Sequence, residues 1–87
     1  NTETKTISVR VRKNAAYNGN APRLILKASP EVGINDDVVL DTHSAAADTW
    51  ETLSGVTTAA TADGVLEVVV DCDGTAGAVF VDNWSVA

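Results

Sequence analysis

Apolar and polar positions alternate along this chain in short runs, each ended by turn-forming residues. Residues 4–13 place Ile7, Val9 and Val11 on one side and Ser8, Arg10 and Arg12 on the other. A period of two sustained over that length predicts a half-buried strand with a solvated basic face. A second strand is predicted over 23–29, with Leu24, Leu26 and Ala28 on one face, and a short third over 37–42, carrying Val38 and Leu40. Residues 49–58 read as a Thr-rich fourth strand led by Trp50. Its phase is ambiguous, because Trp50 and Val56 share one face while Leu53 takes the other. The strongest run is 65–72, with Leu66, Val68, Val70 and Cys72 inward and Glu67 and Asp71 outward.

The last stretch organises the rest. Val79 and Val81 share a face, and Trp84 and Val86 return to it only if one extra residue at Asp82–Asn83 shifts the alternation. A β-bulge has this effect, so a bulged closing strand is predicted that brings Trp84 and Val86 into the core. The segments between strands carry Gly, Pro, Asn and Asp. In 14–22, Asn18-Gly19 is expected to supply the positive backbone angles of a tight turn. Residues 59–64 form a turn ending in Asp63-Gly64, and 73–77 turn the chain into its closing strand. The three alanines of 44–48 are too few to stand as a helix in water. About six strands and no substantial helix predict an all-β, antiparallel β-sandwich forming one domain over 1–87.

Composition narrows this picture. The apolar residues are mainly Val and Ala, small filling that suits a thin sheet-on-sheet core. With few other large side chains available, Trp50 and Trp84 are both expected inside it. No Met occurs, even at position 1, so the chain reads as processed or as a piece of a longer polypeptide. Nothing in it is long and apolar enough to span a bilayer, so no membrane insertion is expected.

Charge is segregated. All six basic residues (Lys5, Arg10, Arg12, Lys13, Arg23, Lys27) lie in the first 27 positions, while eleven of the twelve acids follow Lys27. Two arrangements fit: basic strands beside acidic ones in a single sheet, or a module whose basic end, with Arg10 and Arg12, meets the acidic end of the next copy, with Glu67 and Asp71. The net charge of -6 argues against nucleic acid as a partner.

Few residues suggest chemistry. His43 and Cys72 are each the sole residue of their type, which leaves no zinc or iron site and no internal disulfide. Cys72, in phase with Val68 and Val70, is expected to be a small buried hydrophobe, and His43 a surface residue. His43, Ser44 and Asp48 are too close in sequence to present nucleophile and base to one another. No catalytic residue and no enzyme activity are expected. Asp71, Asp73 and Asp82 could contribute oxygens to a structural calcium, although Gly74 is misplaced for an EF-hand loop and an Asp-Gly turn accounts for the same residues. Stacking on sugar rings would fall to Tyr17, in the first loop, and Phe80, on the outward face of the last strand.

The order of segments resembles the later part of a carbohydrate-binding-module-type jelly roll. The likeness rests on Thr6-Ile7-Ser8-Val9-Arg10-Val11-Arg12, the Trp-led Thr49-Trp50-Glu51-Thr52-Leu53, the apolar Leu66-Glu67-Val68-Val69-Val70, and the ending Val79-Phe80-Val81-Asp82-Asn83-Trp84-Ser85-Val86. The resemblance implies a jelly-roll topology, an extracellular or particle-surface setting and, in many such modules, a structural calcium. Modules of this type are also appended to phage virion and bacterial surface proteins. The family usually has further strands before the point where this chain begins, and without them a sheet edge and part of the core would lie open. Two functions are therefore expected in competition. One is a structural or assembly module that associates with other copies or a larger parent protein. The other is a polysaccharide-binding module.

Overall fold

The computed structural model describes residues 4–62 and 64–87. Asp63 of the expected Asp63-Gly64 turn lies outside them. Six strands are present: β1 (Thr6–Lys13), β2 (Arg23–Leu26), β3 (Val38–Thr42), β4 (Glu51–Val56), β5 (Val68–Asp71) and β6 (Val79–Val86). A single 3-10 turn spans Pro30–Val32. The strands form two antiparallel sheets, ordered β4-β1-β6 and β3-β2-β5. The architecture is thus all-β, two three-stranded sheets sharing a core.

That core follows from the alternation. Ile7, Val9 and Val11 of β1, Leu24 of β2 and Leu53 of β4 are buried together, with Leu40, Val68, Val70 and Val79 packed against them. A second cluster joins Leu26 to Val32, Ile34 and Ala60 at one end. Leu53 decides the phase of β4. Its burial sends Trp50 and Val56 to the outer face, so Trp50 is not a core residue.

Cys72 is exposed rather than buried. β5 ends at Asp71, and the following residues leave the sheet for the loop layer before Cys72 can continue the inward alternation. β2 likewise stops at Leu26, leaving Ala28 exposed.

Two loops lock together at one end. Asn18 Oδ1 accepts the amides of Thr75 (2.8 Å) and Ala76 (3.1 Å), and Asp73 Oδ1 accepts the amide of Asn20 (2.6 Å). Gly19 is needed for this closeness and not for a positive φ, because a Cβ there would strike the Asp73 carbonyl. The left-handed residues are Gly74 and Gly77 across the interface, at φ 104° and 80°.

Segregated charges in sequence become alternating charges in space. The strands bearing Arg10, Arg12, Lys13 and Arg23 are the central strands of the two sheets, and each of the four flanking strands carries an acid: Glu51, Asp82, Asp41 and Asp71. Arg10 lies opposite Asp82, and Arg23 pairs with Asp71 at 2.8 Å. Basic strands beside acidic ones is therefore the arrangement present, realised in both sheets rather than in a single one.

Candidate functional site: the open side of the sandwich

The two long sides of the sandwich differ. On one, β4 closes on β3, so tightly that a Cβ on Gly55 would come within 2.7 Å of Leu40 Cβ. On the other, β5 and β6 keep the ordinary spacing of facing sheets, with no Cα pair within 8 Å, as is also true of the central strands β1 and β2. β5 and β6 are also the unpaired edges of their sheets on that side.

The bulge in β6 sets what faces the gap. Pairing slips between Ser8–Ser85 and Arg10–Asp82, and Asn83 takes up the extra residue at φ 56°, a conformation Asn tolerates better than most side chains. Below the bulge Val86 lies opposite the buried Ile7, so Trp84 and Val86 do return to the inner face. They are nevertheless 48% and 67% exposed, which corrects the expectation that they are core. The reason is length: β5 spans four residues against eight in β6, and the shorter sheet does not cover this end. A cavity of about 310 Å³ remains, walled by Ile7, Leu66, Val68, Trp84 and Val86 with Lys5 and Thr57 at its rim. Half of the eight exposed large hydrophobics belong to β6: Phe80, Val81, Trp84 and Val86.

The outer face of β4-β1-β6 presents arginines laid on aromatic rings. The guanidinium of Arg10 sits 5.1 Å from the Trp50 ring centre, and that of Arg12 lies 5.5 Å from Trp50 and 4.5 Å from Phe80. Arg12 also approaches Asp48 at 3.7 Å, while Arg10 has no ion pair among the described residues. Phe80 thus points outward as expected, 40% exposed, with a guanidinium laid over one face of its ring. Tyr17 is half-buried, its hydroxyl donating to the Asn20 carbonyl (2.6 Å) and accepting from the Asp73 amide (3.1 Å). It serves the loop lock.

Of the four assembly candidates, Arg10 and Arg12 share this outer face, whereas Glu67 and Asp71 lie along the β5 edge of the other sheet. The sequence pattern missed the gap between those sheets, because nothing in local alternation shows how far one sheet overhangs another.

The calcium set does not assemble. Asp71 is held by Arg23, Asp73 by Asn20, and Asp82 accepts the amide of Asn83 at 2.9 Å. Among the described residues no three His, Cys, Asp or Glu side chains converge as metal ligands. Hydrogen bonds from Asn20, its amide foremost, hold the Asp73 carboxyl below its ordinary value.

His43 is buried, correcting its expected surface position. Its amide donates to the Pro22 carbonyl (2.8 Å), extending the β2–β3 pairing and carrying the ring inside. Both ring nitrogens lack hydrogen-bond partners among the described residues, and the nearest charge is Glu51, 3.7 Å from Nε2. The amides of Ser44 and Ala45 donate to that carboxylate, and the Ser44 amide is the main cause of its lowered pKa. Ser44 is thereby committed to Glu51, while Asp48 approaches Arg12.

Comparison with protein-family models, with curated proteins and with solved structures finds no match to this chain.

Proposed function

We propose that this chain is a non-catalytic structural module that self-associates through the open side of its sandwich, as a subunit or appended domain of a particle, filament or surface layer. The observation that carries this reading is β6, an eight-residue edge strand bearing half of the exposed large hydrophobics, with Trp84 and Val86 turned inward over an uncovered cavity. A long apolar edge invites pairing with another strand, and monomeric sandwiches blunt such edges with charge, Pro or a covering loop. β6 contains one charged residue, Asp82, and no Pro. Sugar binding through Tyr17 and Phe80 is less well supported, since the hydroxyl of one and one ring face of the other are already engaged.

The test is the mass in solution by light scattering across a concentration series. A concentration-dependent rise in mass is expected for the wild type, with Trp84→Lys held monomeric. A wild type that stays monomeric at millimolar concentration sinks the proposal.

A further inference from the structure

Resting on that self-association, we infer that the partner at the open side is a second copy turned mouth to mouth, each β6 pairing with the β5 of the other copy. β5 and β6 border the same gap, and β5 reaches the loop layer at Asp71 while β6 leaves it at Val79. The two strands therefore run in opposite directions. A two-fold axis along the strands sets β6 antiparallel to the partner β5 at both edges simultaneously. Each three-stranded sheet continues into the opposite kind of sheet on the other copy, giving two six-stranded sheets. Such an interface is isologous and closes at two copies.

Three features of the gap match this occupant. The first is alternation: the strand needed beside β6 must be apolar inward over Trp84, Val86 and Val81, and residues 66–70 of β5 and its approach supply Leu66, Val68 and Val70 on that side. The second is edge chemistry. Asn14 pairs with Ala78 and Thr6 with Ala87, so counting in twos along the ladder sends the amides of Val79, Val81 and Val86 away from β1 and toward the empty edge.

The third feature is charge, and it separates this arrangement from its rival. A two-fold axis normal to the sheets would also bring the open sides together, but as β6 on β6 and β5 on β5. That brings the Glu67 residues of the two copies to one shared edge, a like-charge juxtaposition. The β6–β5 arrangement instead sets Glu67 beside β6, whose Asp82 lies opposite Arg10, with Arg10 and Arg12 on the next strand in. Arg10 has no ion pair among the described residues, the Nε of Arg12 is buried without a hydrogen-bond partner, and the Arg12 guanidinium already lies over Phe80 toward the β6 edge. Glu67 is exposed on β5's approach, where its charge also acts on Lys27.

Complementary charge reversal tests the assignment. Glu67→Lys alone, and Arg10→Glu with Arg12→Glu, should each weaken dimerisation by about tenfold or more, since attraction becomes like-charge contact at both halves of the interface. Mixed in equal amounts, the two variants match at both halves and should form a heterodimer near wild-type affinity, read by light scattering with one variant carrying a mass tag. Rescue on mixing also shows that both variants are folded. A monomeric wild type overturns self-association and this inference together. A wild-type dimer that Glu67→Lys does not weaken, or that mixing fails to restore, overturns the β6–β5 arrangement alone. A mass that climbs beyond two copies with concentration also overturns it, since the two-fold interface closes.

Discussion

Single residues show where this fold carries polar groups inside and how it holds them. His43 is sealed in with both nitrogens unpartnered, and a buried donor or acceptor without a partner costs about 1–3 kcal/mol. Replacing it by Leu removes those groups and keeps most of the volume. His43→Leu should therefore leave stability unchanged or raise it by about 1 kcal/mol in urea denaturation. A loss above about 2 kcal/mol would show that the imidazole has a stabilising partner. Asp73 and Glu51 behave oppositely, since both gain backbone hydrogen bonds as carboxylates and both have lowered pKa values. A folded-state value below the unfolded one adds stability that is complete above the ordinary carboxylate value, about 4, and is lost as pH falls through the folded value. The wild type should thus hold its melting temperature from pH 7 to about 5 and lose it below 4. Asp73→Asn should start lower at pH 7 and lose less on acidification. An unchanged acid slope in that variant would show that Asp73 does not contribute to it.

At the level of elements, much of the architecture was legible in the alternation and some of it was not. All six strands fall within the predicted runs, and the alternation that marks them is clearest in β1, where Ile7, Val9 and Val11 are buried as every second residue. The bulge was also legible, since no regular strand puts Val81 and Trp84 on one face. Burial was not. Whether an inward residue is covered depends on the length and placement of the opposite sheet, which the pattern of β6 does not contain, and Trp84 lies inward and open for that reason. Trp50 failed through phase, because Leu53 was the one residue in β4 that could fill the shared core. Cys72 failed through strand length, and His43 through a long-range hydrogen bond to Pro22 that no local signal reports. Two substitutions separate these effects. Leu53→Ala should cost about 2–5 kcal/mol, as for a fully buried Leu. Trp84→Ala should cost less, about 1–2 kcal/mol in the monomer, because Trp84 is 48% exposed. A large loss from Trp84→Ala in dilute protein would mean that the cavity is closed within one copy.

The whole molecule is more extended than its length requires. Its radius of gyration is 13.9 Å, against roughly 12 Å for a compact chain of this size. Hinged at β3–β4 and open at β5–β6, the sandwich keeps its central strands paired on both sides while both edges of the gap remain free. Charge pairing belongs to the same picture: Arg23–Asp71 and Lys27–Asp37 neutralise their charges within one copy, and the exposed, screened setting of both makes them minor contributors to its stability. What the fold leaves unused is concentrated at the gap, as outward amides and apolar side chains. Hydrogen exchange reads this directly. In dilute protein the β1 amides should be strongly protected and those of Val79, Val81 and Val86 should exchange quickly, because only the former have partners within one copy. Raising the concentration should slow exchange at those three β6 amides and along β5 while leaving β1 unchanged, since association adds partners only at the edges. Protection of β6 without change in β5 would assign the contact to β6 pairing with itself along a single edge. Protection of neither, at a concentration where the mass has doubled, would move the interface to the outer face where Arg10, Arg12, Trp50 and Phe80 lie.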